Sequence, residues 1–298
     1  MTVKNRIFFL LTGVICVLPL FQAAAVRVVS MSPALTETIF ALGGGPLLVG
    51  RSSSCNRPAA ALDLPAAGDF ATPNLEVVMT LNADLVVSDT LQDPAVKQSL
   101  NDLGIRVEVL PLNSLDDYEA ALTVLGGLLN VEEKAAELKS KSQRARREFA
   151  DEISGTASVG TLLLLWDDPP MSCGRRAFFN DFVALAGGVN VLGGVDAGYF
   201  YPSSEVIEAA APEAVFFPAN GGMTLESLKK HLAVPAARDG KLYAIEDVDL
   251  IFRLTPRWPE AVVILRGMLH PESVKIKMTD GSGADKTLEV PVNEDDKK

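Results

Sequence analysis

The chain has 298 residues, 48% of them hydrophobic, and a formal net charge of −11. That balance is repelled by nucleic-acid phosphates and anionic lipid surfaces, and no basic run offsets it, so nucleic-acid binding is excluded. Three cysteines in a chain of this length are not a disulfide scaffold.

At the N-terminus, Lys4 and Arg6 precede an apolar run from Ile7 to Phe21, and Ala23, Ala24 and Ala25 follow. Basic, apolar and small residues in that order make a secretory signal. The run is shorter than the roughly 20 residues a spanning helix needs. Ile15 stands before Cys16, where a lipoprotein signal requires a small residue, so cleavage after Ala25 and export to the periplasm are expected. Cleavage removes two positive charges and no negative ones, taking the net charge from −11 to −13. The remaining Cys55 and Cys173 are compatible with one bridge or with two free thiols.

The rest of the chain repeats itself once. Pro73 to Ser88 (PNLEVVMTLNADLVVS) aligns without a gap on Pro202 to Phe217 (PSSEVIEAAAPEAVFF), placing Glu76 on Glu205, Asp84 opposite Glu213 and Val86 on Val215. Upstream of each, Ala41 to Gly50 matches Ala184 to Gly193 in the same order. Two ordered matches argue for two similar lobes. In chain order the pattern predicts a strand at Val26–Ser30, a helix at Ser32–Leu42 ended from Gly43 onward, a helix at Leu75–Leu81, and strands at Asp84–Ser88 and Ile105–Leu110. The second half predicts a strand at Val159–Trp166, helices at Phe178–Ala186 and Val206–Ala210, and strands at Ala214–Phe217 and Leu242–Ile245. Strand–helix alternation of this kind implies an α/β fold, each lobe a mainly parallel sheet flanked by helices.

From Val131 to about Ile153 there is no Pro or Gly. Asn130 is a candidate N-cap, with Glu133 completing a capping box. The resulting rod of about 30 Å joins the lobes rigidly. Its Arg144, Arg146 and Arg147 read as a solvated helix face. The expected organisation is a signal at 1–25, an N-terminal lobe at 26–129, the connecting helix at 130–154, a C-terminal lobe at 155–272 and a polar tail at 273–298. A small hairpin is expected in the tail, of Val274–Met278 and Thr287–Val292 around Gly281–Gly283.

Parallel sheets bind ligands beyond the carboxyl ends of their strands, so two facing lobes create a cleft lined by strand-end loops. Phe70, Trp166, Tyr199, Phe200, Tyr201 and Phe252 fall on such loops. Tyr199-Phe200-Tyr201 is hard to bury whole and suits stacking on a planar ligand. No catalytic residue is assigned: His231 and His270 are the only histidines and lack a nucleophile nearby in sequence, and GxSxG, HExxH and Walker A motifs are absent. No metal ligand set and no resident cofactor are expected.

The segments VVSMSPALTETIFALG, VGRSSSCNRP, NLEVVMTLNADLVVSD and LGIRVEVL, continued by PPMSCGRRAFFNDFVALAGGVNVLGG, YPSSEVIEAAAPEAVFF and DLIFRLTPRW, resemble the helical-backbone class of periplasmic binding proteins. That class serves ABC importers of vitamin B12, haem and ferric siderophores. The resemblance covers roughly Val26 to Leu269 and is strongest to the vitamin B12 binders. It implies that Phe70 and Tyr199 are aromatic cleft walls and that Asp249 and Arg253 contact the ligand's amide rim. Ser54, Tyr201 and Asp89 join the expected ligand-binding set; Ser54 and Arg57 replace aromatics of the class, and Asp89 stands where a cleft Trp is usual. The implied ligand is a metal-containing tetrapyrrole or chelate, with a corrinoid favoured. Haem, through Tyr199 or Tyr201, or a ferric siderophore, near Arg51, Arg57, Arg175, Arg176 and Arg253, is the alternative. A secreted enzyme is the remaining reading. The resemblance also implies that Glu76 and Glu205 dock on a permease dimer; without a partner, each would still favour its helix dipole. Cys55 and Cys173 fall at matching positions of opposite lobes, where they could face each other across the ligand. A monomer is expected.

Overall fold

The computed structural model describes residues 25–271 except 221, together with the backbone of Lys277–Thr279 and Asp285–Thr287. The expected export signal therefore lies outside the described residues, Ala25 apart. Among the described residues no helix is long and apolar enough to cross a membrane.

The first lobe runs β1 (Val28–Ser30), α1 (Pro33–Ala41), β2 (Leu48–Arg51), a short hairpin of β3 (Gly68–Asp69) and β4 (Thr72–Pro73), α2 (Leu75–Thr80), β5 (Leu85–Ser88), α3 (Ala95–Asp102) and β6 (Arg106–Val109). Two helices follow, α4 (Leu115–Leu129) and α5 (Glu132–Glu152). The second lobe runs β7 (Val159–Leu163), β8 (Trp166–Asp167), β9 (Pro170–Cys173), α6 (Phe179–Leu185), β10 (Gly188–Asn190), β11 (Tyr199–Phe200), α7 (Ser204–Ala210), β12 (Ala214–Pro218), α8 (Leu225–His231), α9 (Pro235–Arg238), β13 (Leu242–Ile245), α10 (Val248–Ile251) and α11 (Trp258–Leu269). In the tail, β14 (Lys277–Thr279) pairs antiparallel with β15 (Asp285–Thr287), a hairpin where one is expected but with strands set closer to its turn.

The two main sheets have one topology. The first is ordered β2–β1–β5–β6 and the second β10–β7–β12–β13, and every pairing in both is parallel. In each, the lobe's first strand lies between its second and third. The aligned acids have one job as well. Asp84 accepts a hydrogen bond from the Arg27 backbone N–H at 2.8 Å, and Glu213 accepts one from the Gly160 N–H at 2.8 Å. Each thereby ties the start of the third strand to the start of the first.

Strands buried on both faces need apolar residues at successive positions. In β5, Leu85 and Val87 pack on one side and Val86 on the other. In β12, Ala214 and Phe216 point one way and Val215 and Phe217 the other. One inner cluster is continuous through both lobes and takes in Ala135 and Phe149 of α5. Those two and Ser142 are the buried residues of α5, spaced seven apart, so the helix lays a single narrow stripe on the protein. Phe149 meets Trp258 edge-on at 5.9 Å, and Phe182 stacks on Trp258 at 6.4 Å. Buried Arg266 sits over the Phe149 ring at 5.1 Å, donates to the carbonyls of Phe149 and Leu185, and pairs with Glu152. The connecting helix is thus anchored to α6 and α11 by both apolar and polar contacts.

Two expectations are corrected. Asn130 does not cap α5; it ends α4 in the left-handed conformation (φ 55°, ψ 46°), with its N–H donating to the Gly126 carbonyl. An N-cap needs extended backbone, and asparagine is one of the few residues that enters the left-handed region readily. Nor does one strand run from Val159 to Trp166. β7 ends at Leu163, and Trp166 opens a separate antiparallel sheet ordered β11–β9–β8.

Candidate ligand-binding cleft

The carboxyl ends of both sheets feed loops that meet across the lobe boundary. On the first lobe, the backbone N–H of Ala71, beside Phe70 at the tip of the β3–β4 hairpin, donates to the Met31 carbonyl. Ala71 takes φ 55°, which lets the chain reverse in two residues, and its carbonyl accepts from the Gln92 N–H. Phe70, the start of α1 and the loop after β5 are thereby fastened together. Asp89 is the first residue beyond β5. Its Oδ1 is enclosed and makes no hydrogen bond. Burial pushes its carboxyl up, an effect only partly offset by the Ser32 hydroxyl and by the backbone N–H groups of Asp89 and Thr90.

On the second lobe the small sheet supplies the wall. Tyr199 is opposite Cys173 and Trp166 is opposite Met171. Directly opposed residues of an antiparallel pair share a face, as do residues two apart on one strand. Trp166, Met171, Cys173 and Tyr199 therefore share one face, while Phe200 turns to the lobe core. Trp166 and Tyr199 are 49% and 47% exposed, and Tyr201 is 64% exposed. Tyr199 is close enough to Asp89, in the other lobe, and to Cys173 for both to add to the effect of burial in raising its phenol.

Beside the walls, an ionic clasp joins the lobes. Asn56 donates to Asp249 at 2.8 Å and accepts from Arg253 at 2.6 Å. Arg57 lies 3.4 Å from Asp247 and 3.6 Å from Asp249. Arg253 pairs with Asp249 at 2.7 Å and lies 3.6 Å from Glu37, and Arg257 lies 3.4 Å from Glu37 and 3.6 Å from Asp247. Three carboxylates meet three guanidinium groups, so the cluster is neutral as a whole. Glu37, 8% exposed, is held above the usual carboxylate range by burial, which outweighs the pull of Arg257 and Arg253.

The expected ligand residues thus divide. Phe70 sits on the hairpin tied to the loop that Asp89 opens, and Tyr199 lies within electrostatic reach of Asp89; Tyr201 is exposed beside Tyr199, and Ser54 is exposed on the loop between buried Ser52 and Cys55. Asp249 and Arg253 carry partners from the opposite lobe. The arginines have partners too: Arg51 donates to the carbonyls of Ser52 and Ser53, and Arg175 and Arg176 flank Asp196. Cys55 and Cys173 do not face each other across a ligand. Both are free and fully buried, Cys55 accepting from Thr36 at 3.1 Å and Cys173 lying 3.7 Å from the Asn190 amide. Burial pushes the Cys173 thiol up to about 12. His270 is also buried, 3.0 Å from the Gly187 carbonyl. Trp166 was named only among the loop aromatics; the signal that places it with Tyr199 is strand register, which appears only once β8, β9 and β11 are seen to pair.

Glu76 and Glu205 occupy the second position of α2 and α7, helices capped by the side chains of Asn74 and Ser203. Both are exposed, and among the described residues neither joins an ion pair. A shallow groove of about 620 Å³ lined by Glu208, Lys229, Leu232 and Arg238 lies elsewhere, among α7, α8 and α9.

Comparison with known proteins agrees with this architecture. The chain is 27% identical over 263 residues to the vitamin B12-binding protein of Vibrio parahaemolyticus, covering 84% of this chain and 91% of that one. A periplasmic haem-binding protein from Pseudomonas aeruginosa superposes with a TM-score of 0.73 at 26% identity, covering 89% of this chain and 95% of that chain. The vitamin B12-binding protein BtuF of Vibrio cholerae superposes at 0.72 with 22% identity, covering 84% and 98%, a likeness of fold. Residues 28–248 match the periplasmic binding protein family. The chain belongs to that family.

Proposed function

We propose that the protein is the substrate-binding component of an ABC importer, exported to the periplasm, and that it captures a corrinoid between Phe70 and Tyr199 and delivers it to the permease. The observation that carries the corrinoid is the state of the arginines. All five expected near the cleft, Arg51, Arg57, Arg175, Arg176 and Arg253, already have partners within the chain. Arg57 and Arg253 are held in the neutral clasp, where an anionic siderophore or the propionates of haem would have to displace carboxylates; Arg51 bonds only backbone carbonyls, and Arg175 and Arg176 share the one carboxylate of Asp196. A neutral macrocycle rimmed with amides needs aromatic walls and a few hydrogen-bonding groups, which is what Phe70, Tyr199 and the neutral clasp offer. The curated relative named for vitamin B12 supports the same choice.

Haem is the second reading, favoured by the likeness to the Pseudomonas aeruginosa haem-binding protein and by an aromatic phenol in the cleft. Against it, burial raises the Tyr199 phenol and disfavours the phenolate that would bind iron. Glu76 and Glu205, one to a lobe and in no ion pair among the described residues, are the proposed contacts to the permease dimer, and Asp249 and Arg253 the proposed polar contacts to the ligand beside the clasp. Catalysis has no part in this role.

Calorimetric titration of the purified mature protein with cyanocobalamin, and separately with haemin, tests the proposal. Saturation at one cobalamin per chain is expected, with quenching of Trp166 and tyrosine fluorescence. Tighter binding of haemin, with the visible spectrum of a tyrosinate-bound ferric haem, would replace corrinoid by haem. Saturation by neither would overturn both ligand assignments.

A further inference from the structure

Asp89, the first residue beyond β5, is an acid that the clasp does not use. It leaves an inner strand of the first lobe's sheet, its Oδ1 is enclosed without a hydrogen bond, and the loop it opens is tied to the Phe70 hairpin by the bond from the Gln92 N–H to the Ala71 carbonyl. The clasp acids, by contrast, all face arginines. A carboxylate taken from water without a full set of partners is a costly group, and it lowers its cost by meeting a donor that arrives with the ligand. It raises the cost of any ligand that brings a second carboxylate to the same place.

We infer that Asp89 is the specificity residue of the cleft, accepting a hydrogen bond from an amide N–H on the rim of a neutral macrocycle and rejecting macrocycles that present carboxylates there. This rests on the proposed corrinoid reading and adds to it a reason for discrimination against haem. Phe70 and Tyr199 grip either flat ligand, whereas Asp89 tells an amide edge from a propionate edge by its charge. A hydrogen bond to a charged acceptor is worth about tenfold to a hundredfold in affinity, so the preference turns largely on this one side chain.

The test measures dissociation constants for cyanocobalamin and haemin on wild type, Asp89→Asn and Asp89→Leu, with thermal unfolding of each as a check on folding. Asp89→Asn keeps the shape and one acceptor oxygen but removes the charge. The cobalamin-to-haemin preference should shrink by at least about tenfold in Asp89→Asn, chiefly through tighter haemin binding. Asp89→Leu, which has no acceptor, should lose about tenfold or more in cobalamin affinity. If Asp89→Leu fails to fold, the preference ratio of Asp89→Asn decides alone. A wild type that prefers cobalamin and an Asp89→Asn that keeps the same ratio would sink the role of Asp89 and leave the corrinoid reading standing. A wild type that prefers haemin, or binds neither, would sink both.

Discussion

Replacing Tyr199 by alanine separates a stacking wall from a metal ligand. Its side chain is 47% exposed in the free protein. A fully buried aromatic removes about 150–250 Å² from water, so a ligand lying flat on Tyr199 covers roughly a further 100 Å². At about 25 cal/mol per Å² this is about 2.5 kcal/mol, and ring stacking adds about 0.5–1.5 kcal/mol. Part of that sum goes to ordering the ligand, leaving about 2–3 kcal/mol, or roughly a 30- to 150-fold weakening of cyanocobalamin binding in Tyr199→Ala. Calorimetry reads the change directly. Tyr199→Phe keeps the ring and should stay within about threefold of wild type. If Tyr199→Phe loses as much as Tyr199→Ala, the hydroxyl rather than the ring is what binds, and the stacking argument fails. If Tyr199→Ala binds normally, the wall lies elsewhere.

Reversing Glu76 and Glu205 together to arginine should abolish uptake through the cognate permease while leaving ligand affinity and thermal stability close to wild type, since both are exposed and the caps from Asn74 and Ser203 remain; uptake that survives would remove the docking role. Glu37 has a folded value raised above its ordinary 4.5, so its contribution to stability is fully present below about 4.5 and is lost as pH rises through the folded value. Glu37→Gln does not titrate, and its stability relative to wild type should therefore climb from pH 4 to pH 8 in urea unfolding; a constant difference would show that the arginines of the clasp cancel burial, and a falling one that they outweigh it. Cys55 and Cys173 should be unreactive to a thiol reagent in the native protein, with and without ligand, and both should react after denaturation, because each is enclosed and the Cys173 thiol is pushed up to about 12. Rapid labelling of either in the native state would contradict its burial.

The two-lobed fold was legible because the features that encode it are local and occur twice. Each third strand is announced by a helix with a carboxylate in its first turn and an acid just before the strand, and both signals survive in the residues themselves. The clasp was not legible. Asn56 and Asp249 are 193 positions apart, as Arg253 and Asn56 are 197, and only folding reveals that loops after β2 and β13 share one place. The small sheet was missed for a related reason. Leu162 to Trp166 is apolar throughout, so nothing in its periodicity marks where β7 stops; the break is decided by β9 folding back so that the Leu165 N–H donates to the Met171 carbonyl. Asn130 failed as a cap because a residue between two helices can end one or begin the other, and asparagine suits both.

The equivalence of the lobes extends to the placement of function. Phe70 stands six residues before Glu76, and Tyr199 six before Glu205; Pro73 and Pro202 lie three residues after each aromatic, and the capping Asn74 and Ser203 four after. In each lobe one short segment therefore carries a part-exposed aromatic and then an exposed carboxylate at a helix start. If the two carboxylates dock as proposed, a partner that is itself twofold would constrain the outer pair to stay alike. A proposed macrocyclic ligand with unlike edges would impose no such symmetry on the inner pair. The lobes do differ there: Asp89 follows β5 in the first, and the second inserts β8 and β9 with Trp166 between β7 and α6. On this argument, grafting the outer carboxylate segment of one lobe onto the other should be tolerated, whereas exchanging the residues that line the cleft should not.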